Sequence, residues 1–561
     1  MNKSIMEAKC INSALWAAYG DALGFITELA DPALVQKRYG SAKVFELRPW
    51  VKKVGGRMGG DANLPVGCYS DDTQLRLSTS RAISDNGYFD VESFAKIELP
   101  VWMSYALGAG RGTKEAAVNL IRRDVNWFSN FFNRKDLNYF DGGGNGAAMR
   151  IQPHIWSGIH RNSEDEIIID VLQNSIATHG HPRGFLGAVF HAKCLYLSLR
   201  ENKVPNPSDW FRIISDLVKV PVYFHRNLEL KSFWLPAWER EKGQSIELAV
   251  DEIQGELNFL CELASDILFM ENESIEQRYN KIVQKLGGFD PGTRGSGTVC
   301  AVISSALAWL CKDKSPHEAM VLAANTLQSD TDSIATMCGA ILGGVNENKP
   351  PEFVMDYSYI EKEVTRILQF TGSGSRETFI YPDVSGWRAP KTQSEALVSV
   401  GGRLTLLGLG YVEPISEPIY GAGKSPQIWQ WFKLEFGQTV LLKRAAIVPE
   451  LSKENDMFNL DVNTRDKNMN TLNKSEYKSS VIKNKRDLDF GSNEYSYSKE
   501  LSQKIDINEL SSVAIKSGFD ESIIGSHILL LIDKLESIEM AVAYSAIIAK
   551  ARISRNNSTK R

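Results

Sequence analysis

Apolar residues recur at helical spacing from the start of the chain to about residue 370. Within residues 6–25, Ile11, Leu15, Ala18 and Ala22 fall on one face, and Gly20 and Gly24 predict a helix that approaches a neighbour closely. Residues 171–176, 185–199, 257–270, 299–310 and 333–342 read as further buried helices. Small residues crowd two of them, Ala301, Ser304, Ser305, Ala306 and Ala308 in one and Ala335, Gly339 and Ala340 in the other. Such side chains let helix axes close up around a crowded centre. The pattern changes after Gln369. Residues 371–383 read as a loop, and 394–448 mix β-branched and aromatic residues with glycine turns, predicting a small sheet of three to five strands. Its Trp387, Tyr411, Trp429 and Trp431 read more readily as cover for a hydrophobic face than as a recognition surface.

Residues 451–500 hold eight asparagines, nine basic and nine acidic residues. A tract of that kind has too little apolar surface to offset its ordering entropy and reads as a flexible linker. Helical spacing returns at 507–515, 522–535 and 538–551, with Asp520 as N-cap of the second helix and a frayed basic end beyond 552. These helices are short and rich in isoleucine and leucine, so they need burial against one another or against a partner. The expected organisation is mainly α: a helical domain over 1–370, a β-rich appendage over 371–450, the linker over 451–500 and a small helical module over 501–561.

A formal charge of -4 over 561 residues is too balanced to suggest a general nucleic-acid binder, although the total leaves local basic patches open. The seven cysteines are scattered without a Cys-x-x-Cys pair, as expected of buried thiols in a reducing compartment. The first ten residues lack an apolar h-region and the most apolar stretch, 296–311, is too short to span a bilayer. The expected location is cytoplasmic, with no membrane partner.

Two acidic clusters about 260 positions apart carry the first chemistry: Ser70-Asp71-Asp72-Thr73 and Asp330-Thr331-Asp332-Ser333, each at the mouth of an expected helix. Either cluster alone reads as an N-cap that complements the helix dipole. Together they offer hard oxygen ligands, which favour Mg²⁺, Mn²⁺ or Ca²⁺ over zinc. Asp21 interrupts an apolar helix, and Glu28 follows it as either a surface residue or a working acid. The run 141–150, DGGGNGAAMR, is a loop whose N–H groups could cradle phosphates, although it lacks the ending of a P-loop. In Thr178-His179-Gly180-His181-Pro182, His179 reads more readily as a core or cap histidine than as a catalyst, and the two histidines lack a third nitrogen or sulfur ligand for a metal. No Gly-x-Ser-x-Gly elbow is present, which argues against covalent hydrolase chemistry.

Taken in order, GDALGFITE (20–28), YSDDT (69–73), GNGAAMR (144–150), THGHP (178–182) and SDTDSIATMCGAILGG (329–344) resemble the ADP-ribosylglycohydrolase family over residues 8–370. The resemblance implies an orthogonal all-α bundle around a cleft with two Mg²⁺ or Mn²⁺ ions. It implies Ser70, Asp71, Asp72, Asp330, Asp332 and Ser333 as metal ligands and Glu28 as the acid at the scissile bond. Gly142, Gly143, Gly144, Asn145, Gly146 and His179 would contact ADP-ribose. Serine stands at both hydroxyl positions where threonine is frequent in the family. The implied activity is metal-dependent hydrolysis of the glycosidic bond between ADP-ribose and an acceptor. A catalytically silent ADP-ribose binder on the same fold, or a metal-dependent phosphoesterase, is the alternative. The implied partner is an ADP-ribosylated acceptor, with residues 501–561 available for a protein partner or self-association.

Overall fold

The computed structural model describes residues 3–84, 87–161, 163–368, 378–384, 387–422, 426–451 and 506–535, with most of 540–552. All but the first residue of the expected linker over 451–500 lies outside the described residues. The chain forms two compact units, Met1–His225 with Phe233–Leu460, and Arg226–Ser232 with Asp461–Arg561.

At the centre of the larger unit, helix α1 (Lys3–Thr27) packs against a second buried helix, Thr331–Gly343. The small residues seen in the sequence make this approach. A Cβ on Gly24 would stand 2.5 Å from the Cα of Asp332, and one on Gly339 would stand 2.4 Å from the Trp16 carbonyl oxygen. Neither helix can recede there, because α1 is buried from Asn12 to Thr27 and the second helix throughout. Gly24→Ala is therefore expected to cost about 1–3 kcal/mol through overpacking. Gly112→Ala, on a helix surface with open space around it, is expected to be neutral or slightly stabilising. Urea denaturation of the two variants checks both.

Helix α2 (Asp71–Arg81) lies beside α1, followed along the chain by α3 (Pro182–Glu201), α4 (Gly297–Leu310), α5 (the Thr331–Gly343 helix) and α6 (Tyr357–Leu368). An antiparallel hairpin of β1 (Trp50–Val54) and β2 (Gly60–Leu64) sits between α1 and α2 in the chain. It was not expected, although Gly60–Leu64 alternates buried and exposed residues after a glycine turn.

The β-rich segment is a seven-stranded sheet. Its strands are β3 (Leu397–Val400), β4 (Arg403–Leu406), β5 (Gly410–Pro414), β6 (Ile419–Tyr420), β7 (Ile428–Leu434), β8 (Thr439–Arg444) and β9 (Glu450–Leu451). The order is β8-β7-β5-β4-β3-β9, with β6 paired to β7; only β9 runs parallel to its neighbour. It exceeds the expected three to five strands because β6 and β9 have two residues each, too few to leave an alternating pattern. Trp387, Trp429 and Trp431 are buried. Trp387 Nε1, just before the sheet, donates to the Lys96 carbonyl in the helical layer, and Trp431 Nε1 on β7 donates to the Asn63 carbonyl on hairpin strand β2.

The smaller unit contains α7 (Ile507–Lys516) and α8 (Glu521–Leu535), with Phe519, Leu531, Tyr544 and Ile548 in its own core. Asp520 Oδ1 accepts the N–H groups of Ser522 and Ile523 at 2.9 and 3.1 Å, the expected cap. Among the described residues no helix is long and apolar enough to cross a membrane.

Candidate active site

The two acidic clusters meet. Ser70 caps α2 in extended conformation, its Oγ accepting the Asp72 N–H at 3.3 Å. The same hydroxyl lies 3.3 Å from Asp72 Oδ2, and Ser333 Oγ from the start of α5 reaches that oxygen at 3.5 Å. Asp72 Oδ1 is buried with no hydrogen-bond partner. Asp330 occupies the N-cap position of α5 yet makes no side-chain cap bond. Its Oδ2 instead accepts from Asn145 Nδ2 at 3.0 Å. Capping therefore accounts for Ser70 but not for the Asp330 carboxylate.

Asp71 Oδ1 accepts the Ala109 N–H at 2.7 Å. Ala109 holds a φ of 83°, a strained conformation that points its N–H at the carboxylate. Asp21, fully buried in α1, acts as the brace of the first cluster. Its Oδ1 accepts the Ser70 N–H at 2.9 Å, and its Oδ2 accepts the Thr73 N–H and hydroxyl at 2.8 and 2.6 Å. Arg76 closes the network by donating to Thr73 Oγ1 at 2.6 Å.

Glu28 follows the last turn of α1, and Leu29 after it has a φ of 50°. Its Oε2 lies 3.9 Å from Lys52 Nζ, an ammonium that also sits over the Phe25 ring at 4.2 Å. The glycine loop is fixed by its own backbone. Gly142 O accepts from His181 N–H, Gly143 O from Gly297 N–H, and Asn145 N–H donates to Gly295 O. His179 lies against this loop: a Cβ on Gly146 would be 3.1 Å from its Cε1, and one on Gly144 3.8 Å from its Nε2. Thr178 Oγ1 pairs with His179 Nδ1 at 2.7 Å. Burial, then the nearby Arg150 charge, pushes His179 down to about 3, so the ring is neutral near pH 7.

Sequence reasoning thus named the acids and the loop but missed Lys52, Ala109 and Arg76. Lys52 lies on a hairpin without a motif. Ala109 lies in a glycine-rich run, 108–112, whose spacing signals a turn and no chemistry.

Burial pushes Asp71 up to about 8, helped by the negative charges of Glu28 and Asp21. Asp72 and Asp332 are raised for the same reason: burial first, then Asp21 acting on Asp72 and Glu28 acting on Asp332. Glu28 is raised by burial against the opposing pull of Lys52. A carboxyl raised in the folded state contributes stability that is complete below its unfolded pKa and lost as pH rises through the folded one. The metal-free protein is therefore expected to lose melting temperature between about pH 4, where a free carboxyl titrates, and Asp71's folded value of about 8. Calorimetry in EDTA across that window checks this, with Mg²⁺ expected to restore stability at its upper end; a flat profile unaffected by Mg²⁺ would contradict it.

Among the described residues, no three His, Cys, Asp or Glu side chains close into a preformed metal site. The donor set nevertheless fits a hard divalent cation. It consists of carboxylate and hydroxyl oxygens, it includes the unpartnered Asp72 Oδ1, and its carboxylates repel one another.

The fold is mainly helical, and the family it belongs to is one of hydrolases. The chain belongs to the ADP-ribosylglycohydrolase family, whose sequence profile matches residues 4–349. It is similar to a solved structure described as an ADP-ribosylglycohydrolase-related protein complex, at 17% identity and a TM-score of 0.40, over 65% of this chain and 99% of that one. No curated protein matches.

Proposed function

We propose that this chain is a divalent-metal-dependent hydrolase of the glycosidic bond between ADP-ribose and an acceptor. The observation that carries the reading is the buried, unpartnered Asp72 oxygen at the point where two acidic helix mouths, far apart in sequence, converge. Ser70, Asp71, Asp72, Asp330, Asp332 and Ser333 would hold two Mg²⁺ or Mn²⁺ ions. A metal held by these residues would supply Lewis acidity toward ribose hydroxyls and would lower the pKa of a water.

The remaining work falls to the protein's own side chains. Glu28, steadied by Lys52, moves a proton at the scissile bond, a contribution of about 10²–10⁴-fold. Asn145 orients the Asp330 carboxylate. Neutral His179 and the fixed glycine loop, Gly142 to Gly146, position the ADP-ribose, converting alignment entropy into rate. A cytoplasmic location is in keeping with seven free, buried thiols.

Hydrolysis in ¹⁸O-labelled water tests the bond cleaved. Label in the anomeric hydroxyl of released ADP-ribose is expected. Label in phosphate would replace the reading with a phosphoesterase, and ADP-ribose binding without any product would replace it with a silent binder.

A further inference from the structure

A cavity of about 390 Å³ opens beside the carboxylate cluster. Lys52, Lys53, Lys114 and Lys443 line it, with Ser104 and Trp429 in the wall. None of its lining side chains is acidic. Two of its edges touch the proposed machinery. Lys52 faces Glu28, and Gly108 precedes Ala109, whose N–H holds Asp71. None of the residues assigned to ADP-ribose, Gly142 to Gly146 and His179, lines the cavity.

The wall is built jointly by the helical layer and the sheet. Lys443, on β8, donates its backbone N–H to the Ser104 carbonyl at 3.2 Å. Its ammonium lies 6.0 Å from the Trp429 ring centroid. Among the described residues, no carboxylate pairs with Lys53, Lys114 or Lys443. Four lysines and no acid line the cavity, so its surroundings carry positive charge, and a ligand with two negative charges offsets it. Lysine binds phosphate as a point charge, and a guanidinium acceptor would be rejected.

We propose that this cavity is the acceptor subsite, and that it takes an acceptor linked to ADP-ribose through a phosphate. The inference rests on the hydrolase reading above. In the reaction the C1″–O bond breaks, its electron pair stays on the phosphate oxygen, and the water oxygen bonds to C1″. The water's proton passes to Glu28 or to solvent, and nothing is oxidised or reduced. A phosphate departs as an anion, so the lysines stabilise charge where it develops.

The test uses the full chain and a Lys53→Ala/Lys114→Ala/Lys443→Ala variant, which leaves Lys52 and the core untouched. Inorganic phosphate binding, read by ³¹P NMR in EDTA, is expected to weaken by about tenfold or more in the variant. For kcat/KM with ADP-ribose 1″-phosphate or an oligonucleotide ADP-ribosylated on its terminal phosphate, the expected fall is about 10–100-fold. Arginine-linked ADP-ribose should be turned over no more slowly by the variant, and affinity for free ADP-ribose should not change. A preference for the oligonucleotide with steep salt dependence identifies a nucleic-acid end as the source of the phosphate; equal use of both identifies the phosphate alone. Unchanged phosphate binding overturns the proposal. So does a parallel loss of ADP-ribose affinity, which would make the cavity part of the common ADP-ribose pocket. Phosphate binding controlled by the lysines, with no substrate cleaved by the wild type, removes the hydrolase reading while the anion site stands.

Discussion

Asp71→Asn and Asp332→Asn are each expected to lower ADP-ribose release by about 10²–10³-fold or more while the chain remains folded. The amide keeps the shape of the carboxylate, and at position 71 its oxygen can still accept the Ala109 N–H. What disappears is one negative charge from a cluster in which burial and neighbouring charges already oppose ionisation. In EDTA both variants should therefore melt no lower than the wild type, and at pH 8 somewhat higher. Mg²⁺ should raise their melting temperatures less than it raises that of the wild type. Loss of activity with a fall in EDTA stability would point to misfolding. Full activity in both variants would remove the metal site from the mechanism.

The largest stability effect is expected at Arg81, far from the chemistry. Its guanidinium makes a bidentate pair with Glu98, Nε to Oε1 and Nη2 to Oε2, both at 2.7 Å, with both side chains fully buried. Nη1 donates to Gln438 Oε1 at 2.6 Å, and Tyr381 Oη donates to Glu98 Oε1 at 2.6 Å. The network joins α2 to the turn between β7 and β8, so helical layer and sheet share one buried charge pair. Arg81→Met takes away the buried counter-charge of Glu98 and leaves it the Tyr381 hydroxyl alone, a loss of about 3–5 kcal/mol. The double variant Arg81→Met/Glu98→Leu should recover much of that, since an apolar pair of similar volume removes the desolvation cost. Urea denaturation of the three proteins gives the answer. A single variant within about 1 kcal/mol of wild type would show that the pair is solvated in solution.

The acids of the site were legible because their residue types carry the signal: hydroxyl and carboxyl residues repeated at two helix mouths. What the chain could not show was how each acid is used. Asp330 looks like an N-cap in sequence, yet its carboxylate turns to Asn145, a contact across 185 positions that no local pattern encodes. Asp21 is visible as an acid in an apolar helix, but its hold on Ser70 and Thr73 exists only once α1 and α2 lie side by side. Lys52 and Lys443 are unremarkable surface lysines by pattern, and they become neighbours of one cavity through the hairpin and the sheet. The close approach of α1 and α5 was legible in Gly20, Gly24 and Gly339, since only small residues permit it. Part of the sheet was not, because two-residue strands are defined by their partners.

The most direct test of the central claim is release of free ADP-ribose by the full chain from mono-ADP-ribosylated acceptors, measured with Mg²⁺, with EDTA, and with EDTA followed by excess Mg²⁺. Release that requires Mg²⁺ and returns on its addition is the predicted result. Undiminished release in EDTA, or none from any acceptor with Mg²⁺ present, would contradict it.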